Sequence, residues 1–100
     1  MVEVQLIIDL VEPGKGRRRA ERITMLPGVP AGGDHVHVAK LLALKVGGVS
    51  WMVRESSVMV FLTRADSNPE SVVDHDGELE LAQHWIDALK EAGWNIGEFD

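Results

Sequence analysis

The sequence predicts an α+β domain: a curved, mostly antiparallel sheet of five or six short strands, partly closed toward a barrel, with one long amphipathic helix at the C-terminal end. Three observations predict it. "VEVQLIIDLV" and "SVMVFLTR" alternate apolar and polar residues with a period of two, the signature of strands with two unlike faces. Glycine and proline punctuate the chain at short intervals up to Pro69. Beyond that point the period lengthens toward that of a helix. No internal repeat or long linker divides residues 1–100, so a single domain is expected.

The elements follow in order. In the first strand Val2, Val4, Leu6, Ile8 and Leu10 share one face, while Ile7 and Val11 sit on the other with Glu3, Gln5 and Asp9. "EPGKGRRR" then reads as a loop around Pro13, Gly14 and Gly16. "AERITML" reads as a second strand, giving a hairpin with a basic tip. "DHVHV" alternates again, with Val36 and Val38 one way and His35 and His37 the other. "LLALKV" reads as a strand that turns at Gly47-Gly48 into "VSWMVR", and a hairpin from Val49 to Arg64 reverses at Glu55-Ser56. "SNPES" has the order of a helix start, with Ser67 or Asn68 as cap and Pro69 in the first turn, so a short helical turn is expected near 69–75. A longer helix should run from Glu78 to Ala92, capped by Asp76, with Leu79, Ala82, Ile86 and Leu89 on its apolar stripe. Gly93 is placed to stop it in the left-handed conformation, with Trp94 folding back on Leu89.

Composition narrows the chemistry. A chain of 100 residues, 45% of them hydrophobic and 26% charged, can remove roughly 60–70% of its unfolded surface from water and needs no staples. The absence of cysteine excludes disulfides, thiolate zinc sites and a cysteine nucleophile. The apolar runs are far shorter than the ~20 residues that span a bilayer, and the N-terminal "MVEVQLIIDLVE" has no basic leader. A cytoplasmic address and no membrane partner are the corresponding expectations. The net charge of −6 is unevenly spread: residues 1–50 carry seven Lys/Arg and five Asp/Glu, residues 51–100 three and eleven. Halves so unlike can face different partners or each other.

Two clusters are candidate sites. His35 and His37 lie two apart, so on a strand both rings project from one face and could share an ion. Asp34 and the Asp74-His75-Asp76 segment could complete a coordination shell. A His-x-His after glycine is similar to the first metal motif of the cupins. Lys40, Leu41 and Leu42 stand where that motif needs a carboxylate, so no family is assigned from it. The simpler reading is that two imidazoles face water because two valines face the core, and no metal or cofactor is expected. His84 falls on the polar side of the expected helix and His75 in a turn.

The second cluster, "GKGRRRAER", brings Lys15, Arg17, Arg18, Arg19 and Arg22 within eight positions. On a loop they would be either a solvated turn, a set of partners for carboxylates, or a clamp for nucleic-acid phosphates. No aromatic residue is interleaved for base stacking. The Gly-x-Gly lacks the Gly-Lys-Ser/Thr and following helix of a phosphate loop. No nucleophile, base and orienting group stand at recognisable spacing.

A single helix cannot hide both faces of such a sheet. Ile7 and Val11, with Met52, Met59 and Phe61, make a second apolar face that requires the sheet to curl or a second copy to cover it. The sequence is therefore read as a small non-enzymatic binding or adaptor module, of the standalone kind found in bacteria and phages. Its expected partners are itself, as a homodimer, or another protein. Nucleic acid at residues 15–22 is the alternative, and a metal-dependent enzyme at His35 and His37 a lesser one.

Overall fold

A computed structural model describes all residues from Met1 to Asp100. The strands are β1 (Val2–Glu12), β2 (Gly16–Leu26), β3 (His35–Ala39), β4 (Leu42–Met52), β5 (Ser57–Thr63), β6 (Val72–His75) and β7 (Glu78–Leu81). The single helix α1 (Gln83–Glu91) and the short β8 (Asn95–Ile96) follow. One sheet holds them in the order β3-β4-β5-β1-β2-β8, with β7 pairing β1 beyond the end of β5, and β6 pairing β7. The α+β class and the curved, mostly antiparallel sheet are as the sequence predicts. The strands number eight rather than five or six, and three of them are 11 residues long. The exceptions to antiparallel pairing are both on β1, which runs parallel to β5 from Val4↔Val58 to Ile8↔Leu62 and to β7 at Leu10↔Leu79. No helix is long and apolar enough to cross a membrane.

β1 lies between other strands because both of its faces are apolar, the pattern of a strand covered on both sides. Val4, Leu6, Ile8 and Leu10 point inward and join Leu42, Leu44, Val46, Val58, Val60, Leu62, Val72 and Leu79 in one buried cluster. Ile86 and Leu89 of α1 and the Trp94 side chain complete it. Ile7 is also fully buried but on the outer side, opposite Phe61 of β5.

Two irregularities curl the sheet. The register shifts between His37 and Ala39 and again between Val46 and Gly48, and such bulges bend a strand and increase its twist. The second corrects the expected turn at Gly47-Gly48: β4 continues through both glycines without reversing. A Cβ on Gly47 would come 3.1 Å from Thr63 Cγ2, so the glycine permits close strand approach rather than a reversal. The reversal occurs earlier, at Lys40-Leu41.

The C-terminal third departs most from expectation. Neither a helical turn at 69–75 nor a helix beginning at Glu78 forms. Asp76 (φ 55°) and Gly77 (φ 94°) both take positive φ, as the two-residue hairpin turn of type I′ requires. Asp74 Oδ1 accepts the Gly77 N–H at 2.7 Å and fixes it. The turn pairs Val72–His75 with Glu78–Leu81, and "ELEL" satisfies period two as well as a helical stripe. Asn68 caps no helix; its Oδ1 accepts from Ala65 N and its Nδ2 donates to Ala43 O, both at 2.8 Å. Arg64 donates to the carbonyls of Asn68 and Val72. These bonds hold the connection from β5 to β6.

The nine-residue helix ends as predicted. Gly93 has φ 93°, its N–H bonds to Lys90 O, and Trp94 N–H bonds to Leu89 O at 3.0 Å. This pair of bonds is the Schellman stop. It delivers Trp94, 4% exposed, into the core, where Nε1 donates to Val38 O of edge strand β3 at 2.8 Å. β8 follows at once and pairs with β2 at Ala20↔Ile96 and Glu21↔Asn95. The segment from Trp94 to Ile96 thus ties the β2 end of the sheet to the β3 end and closes the half-barrel.

Trp94→Phe keeps a ring in the core but leaves the Val38 carbonyl without its donor. Urea unfolding should show a loss of about 1–3 kcal/mol, and an unchanged midpoint would deny the bond its role.

Candidate protein-binding face

The outer face of the sheet is assembled by register. Gln5 and Ile7 of β1 lie between Ile23 and Glu21 of β2 and Met59 and Phe61 of β5. Glu3 lies beside Met25, and Ser50 and Met52 of β4 stand beside Met59 and Ser57. Phe61 and Ile7 cover one another, and the Arg19 guanidinium lies 5.9 Å from the Phe61 ring centroid. The remaining apolar side chains are open: Ile23 is 66% exposed, Met25 50% and Met52 37%. No helix lies over them. The sequence anticipated Ile7, Met52, Met59 and Phe61 on this face but missed Ile23 and Met25. The signal was present in "ERITML", where Ile23 and Met25 alternate with Thr24 and Leu26 and make β2 apolar on both faces.

The basic cluster is not a loop. β1 and β2 pair without interruption from Val2↔Leu26 to Glu12↔Gly16, so the turn contains only Pro13, Gly14 and Lys15 and the arginines belong to the strand. Alternation sends Arg17 and Arg19 outward with Ile23, and Arg18 and Arg22 inward with Ala20. Each cation has a partner in the chain. Lys15 pairs with Glu12 at 3.2 Å, Arg17 with Glu78 at 2.9 Å and Arg19 with Asp9 at 2.8 Å. Arg22 Nη1 donates to Ala92 O at the helix C-terminus at 2.7 Å, where the helix dipole favours a cation. The Arg18 guanidinium stacks 4.3 Å from the Phe99 ring centroid.

Residues 97–100 lie alongside this stretch, with Gly97 N–H on Arg19 O and Asp100 N–H on Arg17 O. Gly16 is needed there, since a Cβ on it would come 2.6 Å from Asp100 O. The cleft between them, about 510 Å³, is lined by Asp9, Glu78, Glu98 and Asp100 as well as by the three arginines. Its charge is mixed. The basic first half and acidic second half of the chain therefore meet within one molecule, most directly at Arg17 and Glu78.

His35 and His37 are both exposed on β3, opposite in direction to the buried Val38. Their cross-strand neighbours are Lys45 and Ala43, one a cation and neither a metal donor. Asp34 Oδ2 accepts the Ala31 N–H at 2.9 Å and holds its own turn. No three His, Asp or Glu side chains gather into a group able to hold a metal. A cleft of about 500 Å³ is lined by Leu26, Val29 and Val36, by Pro27, Gly28 and Pro30, and by Asp34 and His35. His75 and Glu80 form a pair across the β6–β7 hairpin at 2.9 Å, and the ring of His84 lies 4.6 Å from that of Trp85. Comparison of the chain with models of known protein families, with curated proteins and with solved structures gives no match.

Since both strand histidines face solvent, a His35→Ala, His37→Ala double variant should change unfolding free energy by no more than about 0.5 kcal/mol. Thermal melts should be the same with added zinc or with chelator. A melt that moves with zinc in the parent and not in the variant would make the pair a ligand set.

Proposed function

We infer that the chain is a non-enzymatic binding or adaptor module that works through protein–protein contacts on the outer face of its sheet, and that it associates with itself. The observation that carries this reading is the group of uncovered apolar side chains on that face, Ile23, Met25 and Met52, beside the half-buried Met59 and Phe61. Single exposed hydrophobic residues are ordinary. Here two apolar groups share one sheet face, Ile23 with Met25 on β2 and Met59, Phe61 and Met52 on β5 and β4, with Glu3 and Gln5 of β1 between them. Apolar groups set among polar side chains suit a surface that another protein covers. The flexible methionine side chains suit such a surface, because they adapt to a partner's shape at little cost.

The arginine-rich start of β2 lends less support to a nucleic-acid reading. Phosphate binding draws its free energy from cations that are free to displace counterions. Lys15, Arg17 and Arg19 already face carboxylates, and Arg22 a helix terminus. Released by a competing polyanion, they would leave Glu12, Glu78 and Asp9 beside it.

Sedimentation equilibrium over a wide concentration range tests the reading. The mass should rise above 11.0 kDa toward twice that value as concentration increases. Ile23→Glu with Met25→Glu should hold it at the monomer value while leaving the far-ultraviolet circular dichroism intact. A parent chain whose association ignores charges placed on this face would overturn the use of the face.

A further inference from the structure

Both end regions of the sheet leave backbone groups unpaired, and the chain protects them differently. β3 has the Trp94 indole on its Val38 carbonyl. β2 is covered by β8 and the following residues only as far as Glu21. Along β2 the odd-numbered residues direct their N–H and C=O away from β1, as Arg17 O and Arg19 O show by accepting from residues 100 and 97. The unbroken register carries that alternation on to Ile23 and Met25. Nothing in the chain takes up their outward backbone groups. The open stretch is Arg22–Leu26, bounded by Asn95 on one side and by Pro27, which has no N–H, on the other.

Natural edges of this kind are blunted by an outward charge, a bulge or a proline. Between Asn95 and Pro27 this one has none of them. Its only charged side chain, Arg22, turns inward to Ala92 O. Its outward side chains, Ile23 and Met25, lie symmetrically about Thr24. We propose that a second copy of this chain pairs with this edge, β2 against β2 in antiparallel register about a two-fold axis at Thr24. The inference rests on the reading of the outer face as a protein contact and names the contact.

The register follows from what is free. Centred on Thr24, Ile23 of each copy faces Met25 of the other, and the four outward N–H groups find four carbonyls. Centred on Ile23, the pairing would need Glu21, whose edge is already held by Asn95. Centred on Met25, it would need an N–H from Pro27. The Thr24 register also puts apolar beside apolar on the outer face and brings no like charges opposite one another, since Arg22 falls across from Leu26. Pro27 turns each chain away before it meets the other copy's Asn95. A stable interface covers about 800 Å² on each partner. Five edge residues, with Ile23 and Met25 as the apolar side chains on the outer face, supply less, so the dimer is reversible and concentration-dependent.

The absence of cysteine makes the register directly readable. Thr24 of the two copies would form a non-hydrogen-bonded pair with Cα atoms about 4.5 Å apart, within disulfide range. Thr24→Cys should therefore cross-link under mild oxidation. Ile23→Cys alone should not, because its own counterpart lies beyond the ~7 Å limit. Ile23→Pro removes only an outward N–H, so it should keep the fold and give a monomer by sedimentation. Met59→Glu, two strands from the edge, should remain dimeric. A dimer that persists in Ile23→Pro, fails to cross-link at Thr24→Cys and is lost in Met59→Glu would overturn the edge pairing while leaving the outer face as the contact. A parent chain that stays monomeric at every concentration would overturn the second copy as its occupant.

Discussion

The Trp94 indole holds the architecture together. A curled sheet of this size has two ends, and its inner apolar face is safe from water only if something spans the gap. The chain spans it with nine residues of helix, a glycine stop and one tryptophan. Its ring fills the core, and its N–H reaches the Val38 carbonyl. The bond is short, buried and 56 residues long-range, so its loss exposes an acceptor that water cannot easily reach. Because β8 follows directly, the same few residues also fix the far strand.

The cost of this closure appears on the opposite side. The single helix is committed to the inner face, so the outer face has only what the strands themselves provide. Phe61 and Arg19 shelter Ile7, but nothing reaches Ile23 or Met25. β8 is two residues long, and the segment after it follows β2 only beside the arginines. The molecule is thus closed within, while β2 keeps an unpaired edge from Arg22 to Leu26. The charged residues that the sequence makes most conspicuous are occupied with one another, whereas two uncharged residues of β2 remain free.

Much of the fold was legible from local pattern. The parity of "DHVHV" put His35 and His37 outward, and the Gly93-Trp94 stop formed as expected. The doubled apolar faces of β1 required a covered outer side. What was misread had two local solutions. "DGELEL" fits a capped helix or a hairpin, and the positive φ values of Asp76 and Gly77 decide for the hairpin. Gly47-Gly48 fits a turn or a bulge, and the approach of Thr63 decides for the bulge. "GRRRAER" resembles a loop by composition, yet the register of a β1–β2 ladder continued through it. The open edge at Ile23 and Met25 was not legible at all, because which strand lies last in a sheet is a property of strand order rather than of any one segment.

The closure by Trp94 can be followed without altering the protein, since the three tryptophans occupy different settings. Trp51 is exposed, Trp85 Nε1 bonds to Ser71 Oγ at the surface of the helix, and Trp94 Nε1 bonds to Val38 O in the core. Site-resolved hydrogen exchange of the three indoles is the most direct measurement. Trp94 should exchange only with global unfolding, as slowly as the amides of Leu6 and Ile8, while Trp51 exchanges at once. A Trp94 indole that exchanges far faster than those amides would mean that the half-barrel opens without unfolding, and that Trp94 does not hold it shut.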